Sequence, residues 1–218
     1  MVKIIGIDDA GRGPVIGPMV LAGVLIDEFD NSKLKEMGVK DSKLLSIRNR
    51  KRVRDKIVED YKHHLEISEP REIDESSNLN YLEAVKAAMI INKLVSGLDE
   101  KVKVVLDCPS TNLSAWKEDV WGLVKKQDIV SLVCEHKADL NHSSVSAASI
   151  IAKEKREEEL RKLRRELGVD FGSGYPADPK TKDFIRDNFD NPKYKKIIRF
   201  SWKTVKRLVE EGGQKKLF

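Results

Sequence analysis

The first fourteen residues limit the fold more than any other stretch of the chain. Ile4-Ile5-Gly6-Ile7 is a short apolar run that stops at two acids, Asp8 and Asp9, and passes into Ala10-Gly11-Arg12-Gly13-Pro14. An apolar run this short, ended abruptly by turn residues, predicts a strand buried near the middle of a sheet. Carboxylates at the carboxyl end of such a strand must be paired or bound to a cation, because an isolated charge is costly to bury. A chain built around that strand has an electrostatic problem to solve as well as a packing one.

The later segments alternate in type. Residues 15–26 are apolar, punctuated by glycine, and read as a second strand joined to the first through the glycine loop, with antiparallel pairing. Ser46 caps a basic helix that runs to about residue 61. Residues 64–68 alternate as a short strand, and residues 80–98 carry a helical apolar repeat ended by Gly97. Strands at 101–106 and 129–134 enclose a helix around Trp116 and Val120. A long helix from about Ser143 turns heavily charged at residues 153–165 and breaks at Gly172-Ser173-Gly174-Tyr175-Pro176. Helical segments at 178–188 and 201–211 follow. Strands alternating with helices predict an α/β fold, a central mixed sheet flanked by helices, with a helical C-terminal part. At 218 residues there is room for one large domain and a small lobe. The expected division is a catalytic domain over 1–171 and a helical region with a short tail over 172–218.

Composition narrows the function classes. No apolar run approaches the roughly 18 residues of a membrane span. Asp8 and Asp9 interrupt any basic-then-apolar leader pattern, so a cytoplasmic location is expected. The two cysteines, Cys108 and Cys134, are too few and too far apart for a disulfide framework or a zinc knuckle, and both fall in predicted strands as buried free thiols. A net charge of +5 with pI about 9.0 admits a nucleic-acid partner without requiring one.

Three predicted strands lead into acids: the first at Asp8 and Asp9, the third at Asp107, and the last shortly before Asp139. Sites in open α/β sheets form beyond the carboxyl ends of the strands. If these strands are neighbours, four carboxylates converge, and their repulsion is relieved by hard divalent cations. An oxygen-only set favours Mg²⁺ or Mn²⁺ over zinc, and two such ions can serve phosphodiester hydrolysis. Each acid also has a structural reading. Asp107 could cap a helix after Pro109 and Asp139 one starting near Ser143, whereas the tandem Asp8-Asp9 exceeds what a single cap needs. The glycine loop fits neither nucleotide fingerprint, since Arg12-Gly13 stands where a P-loop has Lys-Ser or Lys-Thr, and the dinucleotide spacing is missed. His142 reads as a surface or cap residue in preference to a proton shuttle.

The residues together resemble one family. Gly6-Ile7-Asp8-Asp9-Ala10-Gly11-Arg12-Gly13-Pro14, Val39-Lys40-Asp41-Ser42-Lys43, Val105-Leu106-Asp107, His136-Lys137-Ala138-Asp139 and Ser146-Ala147-Ala148-Ser149-Ile150-Ile151-Ala152-Lys153 resemble ribonuclease HII, the type 2 ribonuclease H. Gly172-Ser173-Gly174-Tyr175-Pro176, Asp178-Pro179-Lys180-Thr181 and Trp202-Lys203-Thr204 look most like its archaeal branch. The resemblance implies an RNase H-like fold and metal-dependent hydrolysis of the RNA strand of RNA/DNA hybrids. It also implies cutting at single ribonucleotides embedded in duplex DNA, with two ions, Mg²⁺ or Mn²⁺, leaving 5′-phosphate and 3′-hydroxyl ends. Asp8, Asp9, Asp107 and Asp139 fall on the family's four catalytic, metal-binding carboxylates. Gly11, Arg12 and Gly13 fall on the loop that senses the ribose 2′-hydroxyl. Tyr175 matches the tyrosine that stacks on the sugar at the RNA–DNA junction, and Ser42 and Lys43 match residues near backbone phosphates.

Two departures qualify the match. Asp9 stands where the family carries Glu, one methylene longer, and Mg²⁺ is exacting about octahedral geometry. The alternative reading is therefore a catalytically impaired hybrid-binding protein; a junction resolvase is a third, opposed by the 2′-hydroxyl loop and Tyr175. Residues 141–144 are also more polar than the family's usual run after Asp139. The tail Gln214-Lys215-Lys216-Leu217-Phe218 begins like a sliding-clamp-binding peptide but lacks the paired aromatics, and a monomer is expected.

Overall fold

The computed structural model describes residues 2–39 and 46–215, with the side chains of Gln214 and Lys215 excepted. The expected phosphate contacts Ser42 and Lys43, and the clamp-peptide reading of the tail, lie outside the described residues. In chain order the elements are β1 (Lys3–Ala10), β2 (Met19–Asp27), α1 (Asp30–Glu36), α2 (Ile47–Asp60), β3 (Lys62–Ser68), α3 (Pro70–Glu75), α4 (Leu79–Leu94) and β4 (Val102–Asp107). There follow α5 (Leu113–Leu123), β5 (Val130–Glu135), α6 (Ala138–Asn141), α7 (Ser143–Leu167), α8 (Pro179–Asn188), α9 (Pro192–Lys195) and α10 (Lys203–Lys215).

The five strands form one mixed sheet in the order β3-β2-β1-β4-β5. β1 pairs antiparallel with β2 and parallel with β4, and β4 pairs parallel with β5. This is the α/β, RNase H-like arrangement expected from the alternation of elements, and the three acid-bearing strands are neighbours. β1 is longer than its apolar run. Asp8 and Asp9 lie within the strand, opposite Ala22 and Leu21 of β2. The ladder continues past Ile7 because β2 offers an unbroken apolar partner, fully or nearly fully buried from Met19 to Ile26.

Glycine sets how the helices approach. A Cβ on Gly6 would sit 2.2 Å from the backbone carbon of Ser144 and 2.3 Å from the nitrogen of Val145, so the first turn of α7 rests directly on β1. A Cβ on Gly23 would meet Ile90 of α4 at 2.3 Å. Gly23 is paired with Ile7, which points to the face opposite Gly6. Hence α7 and α4 cover opposite faces of the sheet.

The starts of α2, α4, α5, α8 and α9 are capped by short polar side chains. Ser46 Oγ accepts the Asn49 amide at 3.3 Å at the start of α2, and Asp178 Oδ1 accepts the Lys180 amide at 3.0 Å at the start of α8. α5 is capped by Asn112, not Asp107. Asp139 lies inside the short helix α6, which the sequence pattern does not announce, and so is not the cap of α7.

The chain divides into two compact units. The first comprises residues 1–10, 20–66 and 78–155 and contains nearly all of the sheet; the second comprises 11–19, 67–77 and 156–218. The second unit has its own apolar core around Ile16, Leu160, Phe171, Ile185, Ile198 and Leu208. Phe184 sits edge-on to both Phe171 and Tyr194 there, with ring centroids 6.0 and 5.2 Å away.

Gly6→Ala is expected to cost about 2–3 kcal/mol of stability, because backbone rather than a flexible side chain blocks the new methyl. Gly122→Ala, on an exposed helical position with nothing within 4 Å, should instead stabilise by about 0.5 kcal/mol. Denaturant titration of both variants checks the pair.

Candidate active site

Asp8 and Asp107 meet on the α7 side of the sheet. Strand alternation puts Asp8 on the same face as Gly6, and Asp9 on the other. The β1–β4 register ends at Ile7 opposite Leu106, so the next residues, Asp8 and Asp107, are neighbours on one face. Asp8 is buried at 6% exposure, its Oδ1 accepting the Asp9 backbone N–H at 2.8 Å. The buried hydroxyl of Ser149 on α7 faces Asp8 and favours its charged form, without closing a hydrogen bond of good geometry. Burial is the main cause, and the Asp9 charge the next, of an Asp8 pKa pushed up to about 8; Asp107 adds to the rise.

Asp107 is half-buried. Its pKa is raised first by burial and also by Asp139, against the opposing pull of backbone N–H groups. One of these is the Ala138 amide, 3.1 Å from Asp107 Oδ1. That amide is delivered by a tight reversal after β5. His136 Nδ1 lies 3.1 Å from the Cys108 carbonyl oxygen, and Lys137 adopts the left-handed conformation, φ 57°. A non-glycine residue there costs backbone energy, and such strain collects at functional sites. The reversal brings buried Asp139 within electrostatic reach of Asp107, and Ser146 Oγ donates to the Asp139 carbonyl oxygen. His142 pairs locally, its Nε2 3.0 Å from Glu135 Oε2, in keeping with a surface role. Cys108 and Cys134 are buried free thiols, and burial pushes Cys134 up to about 12.

Among the described residues, no three His, Cys, Asp or Glu side chains close tightly enough to hold a metal ion in this arrangement. The chemistry of the set nevertheless fits a hard divalent cation. All donors are carboxylate oxygens; Asp9 and Asp107 raise the proton affinity of Asp8, and Asp139 raises that of Asp107, so a positive charge among them would relieve a cost already present.

Of the candidate substrate residues, Gly11, Arg12, Gly13 and Tyr175 lie in the second unit. Gly11 has φ +94°, and a Cβ there would fall 2.4 Å from Cδ and Nε of Arg156 and 2.8 Å from the Pro18 carbonyl oxygen. Gly13 is exposed, and its Cβ would have only Tyr175 Cε1 in reach, at 4.0 Å. The Gly174 carbonyl accepts the amides of Val15 at 2.8 Å and Ile16 at 3.3 Å, tying the two loops together. Tyr175 is 46% exposed, with the guanidinium of Arg156 5.6 Å from its ring centroid. Its loop is moored to α8. Asp178 Oδ2 accepts the Ser173 amide at 2.6 Å, and Thr181 Oγ1 accepts the Gly174 amide at 3.0 Å. Hydrogen bonds donated to Asp178, from the Ser173 backbone first and then from the Ser173 side chain, the Lys180 amide and the Thr181 hydroxyl, hold its carboxyl down to about 2.

Two arginines of this unit escaped the reading of the sequence. Arg156 lies in the charged run of α7 but is buried at 4% exposure, and burial lowers its pKa. The signal was present, since Ser149, Ala152, Arg156 and Leu160 recur at helical spacing as buried positions. Arg199 is wholly buried, with Nε 2.9 Å from the Gly17 carbonyl oxygen and Nη1 3.1 Å from that of Arg12. Nothing local in the sequence announces it.

A mixed α/β sheet with acids on adjacent parallel strands, and another delivered by a strained reversal, defines the class: a metal-dependent nuclease with the RNase H-like fold. The family model for ribonuclease HII matches residues 5–205, and the chain belongs to that family of metal-dependent endoribonucleases. Ribonuclease HII of Methanocaldococcus jannaschii is 39% identical over 98% of each chain. The crystal structure of ribonuclease H2 from Pyrococcus horikoshii is similar at a TM-score of 0.85, with 36% identity, covering 97% of this chain and 99% of that one. Ribonuclease HII of Archaeoglobus fulgidus, solved in a complex with PCNA, matches at a TM-score of 0.81 and 33% identity, covering 92% of this chain and 95% of its own.

The raised Asp8 pKa has a sign that can be measured. An acid with a folded pKa near 8 and an ordinary unfolded value of about 4 stabilises the metal-free fold below pH 4, and that stability is lost as pH rises through 8. In EDTA, Asp8→Asn should therefore match the parent in thermal stability at pH 4 and exceed it increasingly up to about pH 8. A difference independent of pH would exclude a buried proton on Asp8.

Proposed function

We propose that this endoribonuclease hydrolyses the RNA strand of RNA/DNA hybrids and cuts at single ribonucleotides embedded in duplex DNA. The observation that carries the reading is the buried Asp8, flanked by Asp9 and Asp107 and driven to hold a proton near neutral pH. Asp8, Asp9, Asp107 and Asp139 would hold two divalent ions, Mg²⁺ or Mn²⁺. When bound, such ions supply an activated water and stabilise the leaving oxygen, yielding 5′-phosphate and 3′-hydroxyl ends. The chain's own residues contribute charge and orientation. The Ala138 amide steadies Asp107, and the Asp9 amide steadies Asp8. Asp9 starts from the opposite face of β1 and is a methylene shorter than the family's glutamate. Its charge still acts on Asp8, second only to burial, which supports a role for it in the ligand set.

Selection of substrate falls to the other unit. Gly11, Arg12 and Gly13 would read the 2′-hydroxyl that distinguishes ribose from deoxyribose. The exposed ring of Tyr175, backed by Arg156, would stack on the neighbouring sugar. Ser42 and Lys43 are proposed to contact backbone phosphates, with Lys as a point charge. Binding should weaken steeply with salt, as phosphate contacts require. The Archaeoglobus fulgidus relative was solved with PCNA, which supports a clamp contact through the C-terminal tail of this chain as well.

The deciding experiment is cleavage of a DNA duplex carrying one ribonucleotide, in Mg²⁺ and separately in Mn²⁺. The parent chain should cut; Asp8→Asn should lose roughly a thousandfold or more in rate; Asp9→Glu should cut at least as fast as the parent. If only Asp9→Glu cuts, the parent is the impaired hybrid-binding protein. If no variant cuts and hybrid binding persists, the carboxylate reading is wrong.

Gly11→Ala and Gly13→Ala should separate in the same assay. The first drives a methyl into Arg156 and Pro18 at positive φ and should lose most activity; the second has open space and should lose less. Equal losses would mean that Arg156 does not limit the loop.

A further inference from the structure

One residue holds three carbonyls of the recognition loop. The Arg199 backbone N–H donates to Val15 at 2.9 Å, its Nε to Gly17 at 2.9 Å and its Nη1 to Arg12 at 3.1 Å. The guanidinium is wholly buried, and its carbon lies 5.2 Å from the ring centroid of Trp202. A planar fork can hold two carbonyls in fixed directions, which a single ammonium on a flexible stem cannot.

The bond to Arg12 has a consequence one residue on. The chain has no cis peptide among the described residues, so the carbonyl of Arg12 and the N–H of Gly13 lie in one rigid plane and point in opposite directions within it. With that carbonyl drawn inward to Arg199, the Gly13 N–H is turned outward, on a residue that is itself exposed. We propose that Arg199 is a positioning residue for ribose recognition: by fixing the Arg12–Gly13 peptide it aims the Gly13 amide at the substrate's 2′-hydroxyl. This rests on the reading of Gly11-Arg12-Gly13 given above and assigns its orientation to a residue far along the chain. An amide donor facing a 2′-oxygen has no partner on deoxyribose, so tilting that plane affects ribose alone.

The test uses the full chain, Arg199→Lys and Arg199→Met, on two duplexes identical except for one ribonucleotide. Affinity for each is read by fluorescence anisotropy in EDTA, and kcat and KM for the ribonucleotide duplex in Mg²⁺. Folding is followed by circular dichroism. Arg199→Lys should keep a native spectrum and bind the all-DNA duplex within about twofold of the parent. Its kcat/KM should fall about tenfold, the size of one or two lost hydrogen bonds, and its preference for ribose should fall with it. A parent without any preference for the ribonucleotide duplex overturns the loop reading and this inference together. A parent that prefers ribose, with Arg199→Lys doing so equally, overturns only the positioning role. Parallel loss of both affinities, or failure of both variants to fold, would make Arg199 a support of the fold and overturn the proposal too.

Discussion

Keeping the Asp8 carboxyl inside the protein is the constraint on which the first unit turns. Gly6 lets α7 lie against β1, and two residues further along the same face that contact leaves Asp8 with little water. The parallel register then sets Asp107 beside it, and the reversal at Lys137 brings Asp139 close to Asp107. Every step that improves packing here makes an ionised carboxylate less comfortable. A proton and a divalent cation are rival answers to the same problem, so occupancy of one should displace the other.

The second unit solves a different problem, that of holding irregular backbone still. A glycine loop has little side-chain bulk to fix it and a large entropy to lose. Here the backbone is fastened from behind by buried arginines, whose donors reach carbonyls that no helix or strand satisfies. The Tyr175 loop is fastened to the start of α8 by Asp178 and Thr181. Gly13 and Tyr175, which would meet substrate, are exposed, while Arg156 and Arg199 behind them are buried.

Much of this was legible in the sequence because it depends on local pattern. Apolar runs ending in acids, Ser46 and Asp178 at helix starts, and glycine punctuation located most strands and the longer helices. The reach of β1 to Ala10 was not legible, since it depends on what β2 offers across the ladder. Neither was α6, a four-residue helix begun by a strained lysine, nor the role of Gly6, which sits within the first apolar run and serves as a contact with α7. Arg156 could have been found by extending the helical repeat. Arg199 could not, because its partner lies 187 residues away and pairing over such a distance leaves no periodic trace.

That separation also bears on how the protein is made. In a growing chain Asp8, Asp9 and the whole of the Gly11-Arg12-Gly13 loop are made well before Arg199. The brace for that loop arrives only with Arg199, 187 residues after Arg12. Long-range contacts of this kind close late because the entropy of the intervening chain must first be lost. An incomplete polypeptide can thus hold every proposed catalytic acid and still have no ordered loop with which to recognise a nucleic acid.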